Sequence, residues 1–301
     1  MKNVFFIVGP TATGKSEIAA DVVCDLGAEI VSADAFQIYR GLPILSVQPD
    51  AEMLARAPHH LIGTVSISHE MNAEKFRKLA LEAISDIYSR GKPVIVAGGS
   101  GLYIKTLTHG LSVVPSADPD LRAHLNELSL ADLEAKLRGL DPKAAVDFKN
   151  RRRVVRAIEI YLLSGERASE QRTGWQEDVT SQGVFVFRDR DDLYERINRR
   201  VEAMFGNGVI EEVRAAGAMS ETASKMIGIR EIQALLAGKV SILQCVAAIQ
   251  QATRRYAKRQ LTWFRRQTNF QPLNLSVLSH VEAVKRISQL VKTLGVAQRN
   301  D

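Results

Sequence analysis

Cysteine occurs only twice in the 301 residues, at Cys24 and Cys245. Two thiols cannot build a Cys-rich zinc site by themselves, and both stand in apolar helical sequence, so a reducing compartment is expected. No apolar run approaches the roughly twenty residues of a bilayer-spanning helix, which sets helical membrane proteins aside. The opening "MKN" leads straight into an apolar strand, so no secretory leader is expected. A cytoplasmic protein with no membrane partner is the expectation. Internal repeats and low-complexity tracts are missing too. What is present is ordinary for a globular chain: 46% hydrophobic and 25% charged residues, in a length that suits one large or two modest domains. A net charge of +6 permits a polyanionic partner without requiring one.

The strongest local signal is "GPTATGKS", comprising Gly9, Pro10, Thr11, Ala12, Thr13, Gly14, Lys15 and Ser16. It matches G-x-x-x-x-G-K-[ST], a loop whose backbone N–H groups surround phosphate oxygens. Its context fits. Val4 to Val8 reads as a buried parallel strand, and Ile18, Val22 and Leu26 mark one face of a following helix. The helix N-terminus would point its amides and dipole at an anion. Lys15 would add a point charge, and Ser16 a hydroxyl for Mg²⁺.

Two further strands are expected, "EIVSA" ending on Asp34 and "KPVIVAGG" running into a glycine turn. Between them lies a helix capped by Asn72, with Phe76, Leu79, Ala83, Ile84 and Ile87 on one face. Strands alternating with helices indicate an α/β protein with a doubly wound parallel sheet, and such sheets bind ligands at the carboxyl ends of their strands. Gly9–Ser16, Asp34 and Gly98–Ser100 all follow strand ends and are expected to face one crevice. A short, helical pattern then reads as an insertion, giving a core over 1–112, an insertion over 113–182, and the rest of the core over 183–301. The tail repeats Val281, Val284, Ile287, Val291 and Leu294, as an amphipathic packing helix would.

Two basic segments stand out. "NRRRVVR" carries Arg151, Arg152, Arg153 and Arg156, and "TRRYAKRQLTWFRR" carries six cations with no acidic residue. On a helix, 254, 258, 262 and 265 share a face, with 255, 259 and 266 beside it. Such a face could track a phosphate backbone, with Tyr256, Trp263 and Phe264 packing or stacking. The plainer alternative is a solvated face with a core of aromatics behind it.

Taken together, "GPTATGKS", "SADAFQIYRGL", "APHHLIG", "VAGGSGLYIK", "SADPDLR", "NRRRVVRAIEIY", "MIGIREI" and "TRRYAKRQLTWFR" resemble the tRNA dimethylallyltransferase family, in the family's order from residue 9 to residue 266. The resemblance implies a P-loop kinase-like core with a helical insertion. It implies transfer of a five-carbon isoprenoid from dimethylallyl diphosphate to N6 of the adenosine 3′-adjacent to a tRNA anticodon. The loop would then hold a diphosphate that is the leaving group. By the family's pattern Asp34 is the general base, and Asp34, Ala35, Phe36 and Gln37 contact the target nucleotide. Ser100 and Arg122 match positions near the substrate, and Arg122 could close over the diphosphate. Arg152, Arg153, Val154, Val155 and Arg156 match a segment that touches tRNA, as do Lys225, Met226, Ile227, Gly228, Ile229 and Arg230. Lys15, Ser100 and Arg122 join Asp34 as the expected catalytic set. Mg²⁺ at Ser16, the tRNA anticodon arm and the allylic diphosphate are the implied cofactor and partners, with a monomer as the working expectation.

The chain departs from that pattern in places. "RGLPILSVQP" puts Leu45, Ser46 and Gln48 where the family usually has glycine, threonine and lysine, and Arg151 stands where it often has proline. Read from residues alone, Asp34 also fits a cap or turn after a strand. Three other functions share some of these signals: a small-molecule P-loop kinase or NTPase, a prenyltransferase acting on free adenine nucleotide, and an RNA-binding protein with a regulatory nucleotide site. Against the kinase, "VIVAGG" lacks the acidic residue that many such enzymes place at a strand end for Mg²⁺.

Overall fold

Every residue of the run Val4–Val8 is buried, because the strand it forms (β1) is packed on both faces. Phe5 and Ile7 point into one apolar layer, and Val4, Phe6 and Val8 into the other. The computed structural model describes residues 4–111, 114–170, 181–267 and 270–295. After β1 come α1 (Lys15–Leu26), β2 (Glu29–Ser32), β3 (Tyr39–Arg40), α2 (Pro43–Ser46), α3 (Ala51–Arg56), β4 (His59–His60) and β5 (Val65–Ser66). Then follow α4 (Ala73–Ser89), β6 (Val94–Gly98), α5 (Gly101–Thr108), α6 (Pro119–Glu127), α7 (Leu130–Leu140) and α8 (Arg151–Ser164). The chain closes with β7 (Gln182–Phe187), α9 (Arg190–Gly206), α10 (Val209–Ala215), α11 (Ile229–Leu236), α12 (Ile242–Gln267), β8 (Gln271–Asn274) and α13 (His280–Thr293).

Six strands form one parallel sheet in the order β4-β2-β6-β1-β7-β8, and β3 pairs with β5 separately. Side chains of α1 and α13 cover one face. Those of α4, α5 and α9 to α12 cover the other. Asn72 caps α4 as expected, accepting from the Lys75 amide at 2.8 Å. The buried face of that helix runs through Phe76, Ala80, Ile84 and Ile87, with Leu79 and Ala83 at its margin.

Residues His109–Val179 form a compact unit apart from Met1–Thr108 and Thr180–Asp301. The expected insertion covered 113–182, and its first break, at 112 and 113, lies outside the described residues. Within this unit Leu125, Leu133, Leu137, Val154, Val155 and Ile158 make a separate apolar core among α6, α7 and α8. Asp118, Ser129 and Asn150 cap the three helices.

Both cysteines lie on helices as expected, Cys24 exposed on α1 with its thiol donating to the Arg56 carbonyl and Cys245 buried on α12. Two expectations need correcting. Val281 is 73% exposed, because α13 starts at His280 and turns Ala283, Val284, Ile287 and Val291 inward instead. The sheet also has two strands that periodicity did not reveal, β4 and β8.

Candidate functional site

The phosphate loop leaves β1 at Gly9 and enters α1 at Lys15. Ala12 and Gly14 both take left-handed backbone, at φ 66° and 91°, so successive amides turn toward a common concavity. Thr13 is buried and its hydroxyl donates to the Pro10 carbonyl at 3.0 Å. Lys15 Nζ lies 3.3 Å from the same carbonyl. Burial lowers the Lys15 ammonium to about 8, although the Asp34 carboxylate pulls it back up. Ser16 follows at the start of α1.

Three arginines absent from the sequence-based site hold this loop. Arg188 donates to the Thr13 carbonyl at 2.8 Å, Arg196 to the Ala12 carbonyl at 2.9 Å, and Arg200 to the Thr11 hydroxyl at 2.8 Å. Arg200 is desolvated enough that its guanidinium falls to about 10, against the pull of Asp34, and its Nε has no hydrogen-bond partner among the described residues. With Lys15 they gather four cations around one turn of backbone amides. That arrangement suits a multiply charged anion. The available signal was the i,i+4 pair Arg196 and Arg200 beside buried Ile197 in "RINRR". Nothing in the pattern linked it to residues 11–13.

The second half of the crevice sits at the ends of β2 and β6. The Ala33 amide donates to the Ala97 carbonyl at 2.8 Å, and the Ser100 amide returns to the Ala33 carbonyl at 3.2 Å. Ser100 Oγ then accepts from the Ala35 amide at 2.9 Å. Gly9 reaches across to the Gly98 carbonyl at 3.3 Å, so the three expected loops do meet. Asp34 Oδ1 accepts from the Phe36 and Gln37 amides at 2.9 and 3.3 Å. One oxygen thus holds the turn, as the capping alternative required, while Oδ2 has no hydrogen-bond partner among the described residues. A carboxylate held this way can receive a proton without losing its place.

Gln37 does not present a free amide. Its Oε1 accepts from the Ser32 hydroxyl at 3.1 Å and its Nε2 donates to the Val47 carbonyl at 2.6 Å. Gln48, where the family usually has lysine, donates to the Gln37 and Tyr39 carbonyls at 3.0 and 2.7 Å. A neutral amide thus buckles the loop in which a charge was expected. Leu45, where the family has glycine, fills the space over Gly228: a Cβ there would stand 2.6 Å from Leu45 Cδ1.

Helix α12 packs its inner face against these loops. Tyr256 stands beside Ser100, and burial, aided by the Asp34 charge, raises its phenol well above the ordinary range. It belongs to the crevice and is not a surface stacking residue. Trp263 lies so close over Gly101 that a Cβ there would stand 2.5 Å from the indole. On the outer face Arg255, Lys258, Arg259, Thr262, Trp263 and Arg266 line a cleft of about 550 Å³. Arg254 turns away from it and donates to Asn198 Oδ1 at 2.6 Å. Phe264 is core, as the plainer reading had it.

Of the 225–230 segment, Met226 and Ile229 are buried and Ile227 is half-buried. Lys225 and Arg230 face solvent, paired with Glu221 and Glu231. In the insertion, Val154 and Val155 are core residues, so their side chains cannot touch an RNA; Arg152 and Arg153 are exposed. Arg122 forks onto the buried Glu159, with Nε to Oε1 at 2.8 Å and Nη2 to Oε2 at 2.5 Å. Arg156 donates to the Pro115 carbonyl at 2.5 Å. Arg151, in the place of a proline, donates to the Asn126 and Leu128 carbonyls at 2.6 and 2.5 Å and closes the end of α6.

No cluster of three or more His, Cys, Asp or Glu side chains occurs among the described residues. The donor set at the loop is one hydroxyl, Ser16. It fits a Mg²⁺ ion held mainly by phosphate oxygens and water, and not a protein-caged metal.

A family model described as IPP transferase matches residues 37–267. A tRNA dimethylallyltransferase of Geobacter sulfurreducens is 42% identical over 283 residues, covering 88% of this chain and 89% of the relative. The crystal structure of a tRNA isopentenylpyrophosphate transferase from Bacillus halodurans superposes with a TM-score of 0.71 at 31% identity, covering 98% of each chain. A eukaryotic dimethylallyltransferase acting on tRNA gives 0.81 at 25% identity, over 94% of this chain and 77% of that one. With the phosphate loop, the Asp34 turn and the basic helix in the places described, the chain belongs to the IPP transferase family.

Proposed function

We propose that this protein transfers a dimethylallyl group from dimethylallyl diphosphate to N6 of the adenosine 3′-adjacent to the anticodon of a tRNA. The observation that carries this is the pairing, in one crevice, of a four-cation phosphate loop with a carboxylate whose Oδ2 has no hydrogen-bond partner among the described residues. The N6 lone pair attacks the allylic C1, the C1–O bond breaks with its electrons going to the diphosphate, and the N6 proton passes to Asp34. The adenine amine is a poor nucleophile, so stabilising the departing diphosphate is the larger task. Lys15, Arg188, Arg196, Arg200 and the loop amides supply that stabilisation. Mg²⁺ at Ser16 would neutralise further charge on the diphosphate. The base must leave its stack to reach Asp34, and the cleft beside Trp263 with Arg255, Lys258 and Arg259 offers the strand a cationic bed. Arg122 would have to exchange Glu159 for the diphosphate to act in the reaction.

The test is one incubation of the protein with anticodon stem-loop RNA, dimethylallyl diphosphate and Mg²⁺. Mass spectrometry of the digested RNA should show one adenosine gaining a C5H8 unit, with diphosphate released. Brisk ATP turnover without RNA, and indifference to the allylic diphosphate, would favour a kinase instead.

A further inference from the structure

We propose that Gln260 is a positioning residue that fixes the phosphate loop and the Asp34 turn in register for the transfer. It sits on the inner face of α12 and is 5% exposed. Its Oε1 accepts from the Thr11 amide at 2.9 Å, and its Nε2 donates to the Gly99 carbonyl at 2.8 Å. One arm therefore ends in the loop that carries Lys15 and, through the Thr11 hydroxyl, Arg200. The other ends beside Ser100, whose hydroxyl holds the Ala35 amide next to Asp34. A Cβ at residue 99 would stand 2.4 Å from Gln260 Nε2, so glycine there is what lets the amide in. The Thr11 N–H is spent on this link and is not available to a phosphate.

The chemistry asks for such a link. The leaving group is held by one loop and the proton acceptor by another, and the reacting carbon and nitrogen must meet between them. A misplacement of about 1 Å can cost on the order of a hundredfold in rate. Only a side chain of this length with an acceptor on one branch and a donor on the other closes both arms. Ionised glutamate accepts but cannot donate, methionine does neither, and asparagine is one methylene short. Helix α12 also bears Arg255, Lys258 and Arg259 outward. The helix proposed above to lie against RNA is thus the one that sets the two loops.

The inference rests on the prenyl-transfer reading, and the experiment separates the two. Gln260→Met and Gln260→Glu are compared with the wild type below their thermal midpoints, at saturating dimethylallyl diphosphate and stem-loop RNA, in single turnover. The methionine variant should lose about 10–100-fold in rate, with RNA affinity changed less than twofold. The glutamate variant should be slow at pH 8 and recover relative to wild type as pH falls, because a protonated carboxyl both accepts from Thr11 and donates to Gly99. A side chain that merely stabilised the fold would lower the midpoint and leave the rate per folded molecule, and its ratio across pH, unmoved. Variant rates within twofold of an active wild type would overturn the inference. A wild type that forms no prenylated RNA would overturn the transferase reading and the inference with it.

Discussion

Asp34 spends one oxygen on its own turn, which makes its two roles separable. An asparagine keeps an acceptor for the Phe36 and Gln37 amides but cannot take a proton. Asp34→Asn should therefore bind donor and RNA as before and lose roughly 10²–10⁴ in kcat, the range for general-base catalysis. A near-normal kcat with chemistry limiting would reduce Asp34 to a structural group; a raised KM for RNA alone would make it a recognition group. Lys15 gives a pH test. Its ammonium titrates near 8 in the free protein, mainly because it is buried. A bound diphosphate raises that value. Below pH 8 the charge is already present and binding takes up no proton at Lys15. Above it the charge must be regained, so donor affinity should fall by up to about tenfold per pH unit. Calorimetry at pH 9 in two buffers of different ionisation enthalpy should show proton uptake on donor binding that Lys15→Met abolishes. Equal observed heats in the two buffers would show that Lys15 is charged throughout.

Helix α12 divides its work by face. If Arg255, Lys258 and Arg259 meet backbone phosphates, each contributes about 0.7 log unit of affinity per tenfold change in salt on single strands. Replacing the three by glutamine should flatten the salt dependence of RNA binding by about two units and leave donor affinity alone. An unchanged slope would make the face merely solvated. Arg254 is left out because Asn198 holds it. Much of the outer face was legible in the sequence, since a run of cations without an acid at helical spacing marks a solvent-facing stripe, although Arg254 is turned away from the cleft and Arg265 does not line it. The inner face was not, because a glutamine and a tyrosine in a basic run carry no periodic signal. The same limit governed the strands. Val4–Val8 and Val94–Gly98 could be read because burial on both sides demands continuous apolar residues. His59–His60 is too short and polar to stand out, and Gln271–Asn274 contains a proline tolerated only because β8 is at the sheet edge. The arginines on the phosphate loop escaped because tertiary packing, and not local pattern, brings residues 188–200 to residues 11–13. Val154 and Val155 show the reverse error: a family motif can include residues that serve only the core.

At the scale of the whole molecule, the insertion separates strands that must lie side by side. Val4–Val8 pairs with β6 on one edge and with β7 on the other, where Phe5 is opposite Gln182. Among the described residues, by contrast, the buried core of the insertion is drawn wholly from α6, α7 and α8, which all precede β7. A chain leaving the ribosome amino-end first can therefore assemble its inserted unit while the centre of its main sheet still has an open, wholly apolar edge. At a synthesis rate of about 5–20 residues per second, the stretch between β6 and β7 takes on the order of ten seconds to appear. Refolding from denaturant should keep part of this order, because non-local parallel pairing is slow. Pulsed hydrogen exchange should find the amides of α7 and α8 protected before those of β1 and β7. Simultaneous protection would mean one cooperative step. During translation, the strand that launches the phosphate loop is then the part of this protein most exposed to aggregation and most in need of a chaperone's cover.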